Sequence, residues 1–423
     1  MDNRSTHRIR AGWLIDGSGG PILKDRVISV ESGMISDIST ASEVRPGSGP
    51  VTDLSRCVIL PVLVDSHVHL CMSGSVDPIL RSGQLRAGYD ALAPVIAEHL
   101  RHHFSHGVLA VRDGGDRLGS VLRYLQERQG RSENPVIVKS PGSAFHQDGR
   151  YGSLIGAPPR PGESLVQAWH TRPNRTDLVK IVNSGLNSMT RFGAQSPPQF
   201  TGSELGELVA EAKRCGCRVM VHANGRLPVQ EAVQAGCDSI EHGFFMDRDT
   251  LDMMAEAGIF WVPTVYTMKA YAQHAGVCSA EIDPKVAEKN LQSQLQQLAY
   301  ARDRGVEVAL GTDSGSIGVL HGESMVEEMK LFMQAGYSLS EVIRCASEQG
   351  ARLLGLQELG AIGVGKPAHF LVARGTPAQL PRKLSYLEAI YLNGLPSPLY
   401  RRDPDYTTLR AYEGVDFGGK VRY

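Results

Sequence analysis

From about Val58 onward, short apolar runs alternate with stretches of helical periodicity, and this alternation limits the fold more than any other feature. Such an order predicts βα units that build a parallel sheet. Eight of the apolar runs read as strands. They are Val58–Val64, Val108–Val111, Val136–Lys139, Leu178–Val182, Arg218–Val221, Ser239–Ile240, Phe260–Val265 and Val306–Gly311. Eight parallel strands over roughly 250–300 residues are the expectation for an α/β fold of the (β/α)8 TIM-barrel type.

The two ends of the chain have a different pattern, typical of antiparallel β-structure. Val27–Val30 and Met34–Ile38 flank the turn Glu31-Ser32-Gly33, which is a hairpin signal. Gly360–Val372 returns to β character near the other end. We therefore expect a small β-sandwich formed jointly by the N- and C-terminal segments. The predicted units are residues 1–57 as the first part of the sandwich, 58–358 as the barrel, and 359–423 as the second part with a C-terminal tail.

Composition excludes several classes of protein. The 423 residues are 42% hydrophobic and 21% charged with a formal net charge of -1, so neither nucleic acid nor a membrane is an expected partner. No apolar run reaches the ~18 residues of a membrane span, and the N-terminus lacks the apolar core of a secretion signal. The seven cysteines form no CxxC pair, which suits a reducing, cytoplasmic compartment. The basic stretch Arg101–His106 is predicted as the exposed end of a helix.

The predicted strand ends carry an unusual set of side chains, and barrels place catalytic groups at those ends. His67 and His69, in VDSHVHL, point the same way because side chains alternate along a strand. Each residue alone has a plain structural explanation: a salt bridge for a buried lysine, a satisfied core histidine, or a helix cap for an aspartate. A shared metal site explains all of them together. The other members are Lys180 in DLVKIVNSG, His222 in VMVHANG, His242 in SIEHG and Asp313 in ALGTDSG.

This set resembles the signature of the amidohydrolase superfamily, with HxH on the first strand, Lys on the fourth, His on the fifth and sixth, and Asp on the eighth. Within it the chain is most similar to the imidazolonepropionase-related branch, which includes Xaa-Pro and Xaa-Arg/Lys dipeptidases. The matching segments are VKIVNSG, KSPGSAFHQDGRYG, HANG, EHG and GTDSG. The terminal motif of the family usually ends in Ala-Asp, but here His369 replaces that aspartate, and we expect a structural consequence only.

The resemblance implies a binuclear site with zinc as the expected metal. His67 and His69 would bind one ion together with Asp313, and His222 and His242 would bind the other. Lys180, carboxylated by carbon dioxide, would bridge both ions. Carboxylation agrees with the physical chemistry, because it turns a buried cation into an anion with two ligand oxygens. A bridging hydroxide would then attack the substrate carbonyl, with Asp313 as general base and acid.

The expected substrate is the amide bond of a dipeptide or N-acyl amino acid. Cyclic amides of the hydantoin or dihydroorotate type, lactones and esters remain alternatives, because the same site could act on them. A deaminase is disfavoured, since His222 is followed by Ala-Asn-Gly and Lys180 is present. A non-catalytic scaffold is disfavoured because all six site residues are intact. The sequence leaves open whether the chain forms a homo-oligomer.

The loop after the third predicted strand offers candidate substrate-binding residues. His146, Arg150 and Tyr151 lie in it, and relatives direct this loop at the substrate. A guanidinium such as that of Arg150 can bind a carboxylate through two parallel hydrogen bonds. The alternative is an ordinary polar surface loop.

Overall fold

The computed structural model describes residues 7–44, 50–128, 135–172, 176, 178–278 and 281–400. Its strands are β1 (His7–Leu14), β2 (Leu23–Glu31), β3 (Met34–Thr40), β4 (Val51–Pro61), β5 (Leu63–Val68), β6 (Val108–Asp113), β7 (Ile137–Lys139), β8 (Ala144–Phe145), β9 (Gly156–Ala157), β10 (Leu178–Val182), β11 (Arg218–Ala223), β12 (Ser239–His242), β13 (Phe260–Val262), β14 (Phe370–Arg374), β15 (Ala389–Leu392) and β16 (Leu395–Pro396). Its α-helices are α1 (Pro78–Arg86), α2 (Tyr89–Ser105), α3 (Ser120–Glu127), α4 (Leu165–His170), α5 (Gly202–Arg214), α6 (Arg226–Gln234), α7 (Arg248–Ala257), α8 (Tyr266–Cys278), α9 (Pro284–Arg304), α10 (Ser324–Gln334), α11 (Leu339–Arg344) and α12 (Gly350–Leu354).

The terminal segments share one sheet of seven strands in the order β16-β15-β14-β4-β1-β2-β3. β2 and β3 pair in an antiparallel manner, which confirms the predicted hairpin. Its turn residues Ser32 and Gly33 both have positive φ, at 52° and 82°. Such turns match the twist of the flanking strands, and glycine adopts this backbone at little cost.

This terminal sheet folds back on itself. The backbone N–H of Ile35, in β3, donates to the carbonyl of Lys366 at 2.8 Å, and the N–H of Ala368 donates to the carbonyl of Gly33 at 2.8 Å. A small apolar core of buried side chains, among them Ile28 and Phe370, lies within the fold. The predicted sandwich is thus one continuous sheet, built jointly by the two ends of the chain.

The middle of the chain forms parallel strands in two sets, β5-β6-β7 and β13-β12-β11-β10-β8-β9. The predicted third strand, Val136–Lys139, corresponds to β7, which pairs with β6. β8 follows it outside the predicted strand and pairs with β10. Segment 307–314 lies between the outer strands of the two sets. The N–H of Trp261 in β13 donates to the carbonyl of Glu307 at 2.8 Å, and the N–H of Asp313 donates to the carbonyl of His67 at 2.7 Å. The arrangement is a TIM-barrel-type α/β fold.

Two of the predicted strands differ from the observed ones. The predicted strand Val58–Val64 is divided, because its first four residues complete β4 of the terminal sheet and β5 begins at Leu63. A continuous apolar run that is buried throughout has no alternation that would mark the division. The predicted strand Val306–Gly311 makes a single isolated bridge, from Val308 to Trp261, in place of a continuous ladder.

The stretch Arg101–His106 was expected to be an exposed helix end, and this prediction is wrong for its centre. His102 and His103 are fully buried at the end of α2. Nε2 of His103 lies 3.1 Å from Nδ1 of His321, whose Nε2 lies 2.7 Å from the carbonyl of Met72. These histidines therefore support the loop that follows His69. Nowhere in the described ranges is a helix both long enough and apolar enough to cross a membrane.

Candidate metal centre

The six residues singled out in the sequence line one cavity of about 300 Å³. His67 lies in β5 and His69 directly after it, Lys180 lies in β10, and His222 and His242 lie at the ends of β11 and β12. Asp313 lies in segment 307–314, beside β5. All six are buried. The parallel register brings them together, since neighbouring strands end at the same edge of the sheet.

The histidine rings form a tight group with the carboxylate of Asp313. Ring centroids lie 5.4 Å apart for His67 and His69, 5.0 Å for His67 and His242, and 4.6 Å for His222 and His242. Asp313 Oδ1 lies 3.3 Å from Nε2 of His69 and 3.5 Å from Nε2 of His67. The ligand atoms of His67, His69 and Asp313 all lie within 4.8 Å of one another, as a shared metal ion requires.

Each histidine uses one ring nitrogen to hold its orientation. Nδ1 of His67 lies 2.6 Å from the Glu241 carboxylate, and Nδ1 of His69 lies 3.3 Å from the Gly115 carbonyl. Nε2 of His222 lies 3.3 Å from the Gly185 carbonyl, and Nδ1 of His242 lies 2.7 Å from the Thr264 hydroxyl. Because carbonyl and carboxylate oxygens only accept, the rings of His67, His69 and His222 donate through these nitrogens, and in the neutral rings the other nitrogen carries no proton. The Thr264 hydroxyl can donate or accept, so it orients His242 without fixing its tautomer. This is the usual arrangement of metal-binding histidines.

Four buried polar atoms of residues that line the cavity have no hydrogen-bond partner: Nε2 of His67, Nζ of Lys180, Oδ1 of Asp313 and Oδ1 of Asn187. An unsatisfied buried polar atom costs about 1–3 kcal/mol, so four in one cavity require an explanation. A metal ion would satisfy the imidazole and the carboxylate, which are typical donors for zinc. The residues present therefore fit a divalent ion.

Burial sets the protonation states of the cavity. It lowers the pKa of Lys180 to about 8, and it lowers the pKa of His67 to about 4 and that of His222 to about 3, with the Lys180 charge adding to both histidine shifts. The imidazoles of His67 and His222 are therefore neutral, which is the form that binds metals.

Glu241 is a functional residue that sequence reasoning missed, although it stands in the EHG motif. It is fully buried, and its Oε1 accepts from Nη2 of Arg112 at 2.8 Å and from Ser239 Oγ at 2.6 Å. Burial opposes its ionisation, but Arg112 and His67 together hold its pKa well below the ordinary value. Glu241 therefore stays ionised and fixes the tautomer and orientation of His67. The signal available in the sequence was a carboxylate inside a short buried strand.

Replacing Glu241 with glutamine is expected to weaken metal binding by about 10–100-fold, because an outer carboxylate both orients its histidine and raises the basicity of the ring. Competition with a chromogenic chelator measures this. Glu288→Gln, on the exposed face of α9, is the matched control and should leave metal affinity unchanged. If the two variants bind metal with equal affinity, Glu241 does not contribute to metal binding.

Hydrogen bonds to Asp313 itself and to the preceding residue, Thr312, hold this aspartate in place. Ser316 Oγ donates to Asp313 Oδ2 at 2.9 Å, a contact that sequence reasoning also missed. The Asp65 carboxylate accepts from the backbone N–H of Thr312 at 2.9 Å and from its hydroxyl at 2.6 Å. The backbone of Asp313 has φ of 59° and that of His242 has φ of 65°. Non-glycine residues in this left-handed region store strain and tend to occur at functional sites.

The three predicted substrate-binding residues do not share one cavity. Tyr151 lines the metal cavity, and its ring centroid lies 5.3 Å from that of His222. His146 and Arg150 line a neighbouring, more open cavity. Nδ1 of His146 lies 2.8 Å from the Gln147 carbonyl, and Arg150 Nη2 donates to the Pro197 carbonyl at 3.1 Å. Of the three, the structure brings Tyr151 to the metal ligands.

The family model described as "Amidohydrolase family" matches residues 58–392, well over half of the chain. The chain belongs to the amidohydrolase family. It is therefore a hydrolase that acts on carbon–nitrogen bonds, in a family that typically binds divalent metals. The His67, His69 and Asp313 cluster agrees with that property.

Individual relatives of this amidohydrolase cover most of its length. Ochratoxinase of Aspergillus niger is 24% identical over 377 residues, which span 82% of this chain and 76% of that protein. Imidazolonepropionase of Paracoccus denitrificans is 23% identical over 412 residues, spanning 86% and 92%. A crystal structure of a Xaa-Pro dipeptidase with bound methionine superposes with a TM-score of 0.76 at 26% identity, covering 93% of this chain and all of that one. These similarities place the chain in the imidazolonepropionase and Xaa-Pro dipeptidase branch.

Proposed function

We propose that this protein hydrolyses the amide bond of a dipeptide or an N-acyl amino acid with two divalent metal ions, zinc being the expected metal. The observation that carries the proposal is that His67, Lys180 and Asp313, which line one cavity, each have a buried polar atom without a hydrogen-bond partner. Oriented imidazoles beside them supply further metal donors. A metal site explains both the unpaired atoms and the oriented histidines, and a purely structural role does not.

The ligands divide into two groups around Lys180. His67, His69 and Asp313 would hold one ion, and His222 and His242 would hold the other. Lys180, once carboxylated by carbon dioxide, would supply ligand oxygens to the ions. Its lowered pKa supports this, because burial favours the neutral amine, which is the form that can attack carbon dioxide. When bound, the ions supply Lewis acidity at the substrate carbonyl and a hydroxide nucleophile at neutral pH.

The chain's own residues move the proton and shape the site. The Asp313 carboxylate, which like an ordinary aspartate is ionised at neutral pH, accepts the proton of the attacking water. It then delivers this proton to the leaving nitrogen. Ser316 fixes the carboxylate through Oδ2, which leaves Oδ1 directed at the histidines. The cavity is lined by Tyr151 and by apolar side chains such as Met72 and Phe244, which limit the access of bulk water.

The name of one relative, the Xaa-Pro dipeptidase that shares 26% identity over 93% of the chain, supports a linear amide as substrate. The name of another, imidazolonepropionase, refers to a cyclic amide. Cyclic amides, lactones and esters are the second candidate class, since the same residues would serve them.

The test uses the full chain, purified with zinc and bicarbonate and assayed against dipeptides and N-acyl amino acids by amino-acid release. We expect two metal ions per chain, cleavage of a subset of the panel, loss of activity with a chelator, and its return on adding zinc. If the protein binds two metal ions but releases no amino acid from any compound of the panel, the expected substrates become cyclic amides, lactones or esters. Activity that survives complete metal removal would overturn the metal-dependent mechanism.

We also propose that the parallel strands close into a complete (β/α)8 barrel, with segment 307–314 in the place of the eighth strand. The backbone hydrogen bonds of that segment to β13 and β5 support this. The first boundary between barrel and terminal sheet then lies at Val62, because β4 continues through Pro61.

A further inference from the structure

Charged and apolar side chains are unevenly distributed around the cavity beside the metal ligands. Arg81 and Ser316 belong to the side formed by the loops that follow β5 and segment 307–314, together with the apolar Met72 and Ile317. The second side is formed by the loops that follow β8, β10 and β12, and its apolar members are Leu154, Ile155, Leu186, Met189 and Phe244. β6 and the β7–β8 stretch lie between β5 and β10, so the loop that follows β10 lies across the ligands from the loop that follows β5.

Arg81 supplies positive charge on the first side. It lies in α1, and its Nη1 donates to the carbonyl of Gly315 at 2.9 Å and to that of Ser75 at 3.4 Å. These bonds hold the guanidinium close to the segment that carries Asp313. A guanidinium has five N–H donors in a planar fork, which suits it to a carboxylate. Apart from histidines, the basic side chains among the described residues that line the cavity are those of Arg81 and Lys180. Lys180 lies among the metal ligands.

The second side presents apolar surface at the mouth of the cavity. Leu154 is 52% exposed and Leu186 is 60% exposed, although both are large and apolar. Exposed apolar side chains at a cavity rim are typical of a binding site. Met189 lies on the same side, and methionine adapts to ligands of different shape. This side therefore fits a bulky apolar group.

We infer that the substrate is an amide with opposed ends: a carboxylate on the amino-acid side bound by Arg81, and a bulky apolar acyl group packed against Leu154, Leu186 and Phe244. The inference rests on the proposed amide hydrolysis, since it places the scissile bond over the metal ligands between the two sides. It makes Arg81 a specificity-determining residue. N-aroyl and N-arylalkanoyl amino acids are the class of compound that meets both requirements.

The test measures binding of ligands that cannot be cleaved, by calorimetry on the metal-loaded protein. 4-Oxo-4-phenylbutanoate has a methylene in place of the amide nitrogen of benzoylglycine, and 4-hydroxy-1-phenylbutan-1-one is its neutral partner. Arg81→Gln should weaken binding of the acid by about 10–100-fold and that of the alcohol by less than about twofold, as loss of a charge-assisted pair predicts. Arg81→Lys should restore part of the loss. Arg86→Gln, at the exposed end of α1, is the matched control and should change neither.

The apolar side is tested with 4-oxopentanoate, in which a methyl group replaces the phenyl ring. It should bind the unsubstituted protein at least about tenfold more weakly than the phenyl acid, because a phenyl ring buries much more apolar surface than a methyl group. Leu186→Ser should reduce this difference. Leu227→Ser, at an equally exposed leucine on α6 that does not line the cavity, should leave it intact.

The outcomes separate this inference from the proposed function. Equal effects of Arg81→Gln on the acid and the alcohol, or equal affinities for the phenyl and methyl acids, would overturn the inference even if amides are cleaved. The expected binding pattern in a protein that cleaves no amide would support the two-sided recognition and overturn the proposed reaction.

Discussion

Replacing Asp313 with asparagine is expected to lower kcat by about 10²–10⁴-fold while most of the bound metal is retained. Asparagine keeps the shape and one ligand oxygen of the side chain, but it cannot accept the proton of the attacking water. General acid–base catalysis contributes a factor of this size. Steady-state kinetics on a cleaved amide, with metal content measured by mass spectrometry on the same sample, would show the two effects separately.

The matched control is Asp148→Asn, an exposed aspartate that lines the neighbouring cavity instead of the metal cavity. It should leave kcat and metal content unchanged. An Asp313→Asn protein with near-normal kcat and full metal content would contradict a proton-transfer role for Asp313.

Replacing Lys180 with alanine is expected to remove one metal ion per chain and to lower activity by more than about 100-fold. A residue that merely orients a ligand already contributes about 10–100-fold, and Lys180 is proposed to bind both ions directly. Alanine also leaves a void where a fully buried side chain stood. Metal content per folded chain, measured after gel filtration, is the direct readout.

Lys285→Ala, on the exposed first turn of α9, serves as the control for loss of a lysine charge. Thermal unfolding of both variants shows whether the void itself disturbs the fold. A folded Lys180→Ala protein that keeps two metal ions and full activity would exclude the bridging role.

Much of the parallel sheet could be predicted because its strands are short apolar runs bounded by polar residues. The limits of β10 agree with the predicted Leu178–Val182. β11 and β12 begin at the predicted residues and continue further, to Ala223 and His242. The position of the ligands followed from the same reasoning, since residues at the carboxyl ends of neighbouring parallel strands must meet at one edge.

Other features depend on contacts between distant residues, which a local pattern does not contain. The run Val58–Val64 is uniformly apolar, so nothing local shows that it serves two sheets. His102 and His103 are polar in sequence, but His103 contacts His321, more than two hundred residues away. Glu241 and Ser316 become functional residues only when His67 and Asp313 are seen beside them.

The left-handed backbone at His242 sets stability and activity against each other. With φ of 65°, this position would suit glycine, whereas a histidine there costs on the order of 1–3 kcal/mol. An engineer who selects variants of this chain for heat resistance alone would therefore be driven to give up the imidazole at position 242. Stabilising substitutions that preserve activity must therefore leave His242 unchanged and be made in the terminal sheet and the outer helices.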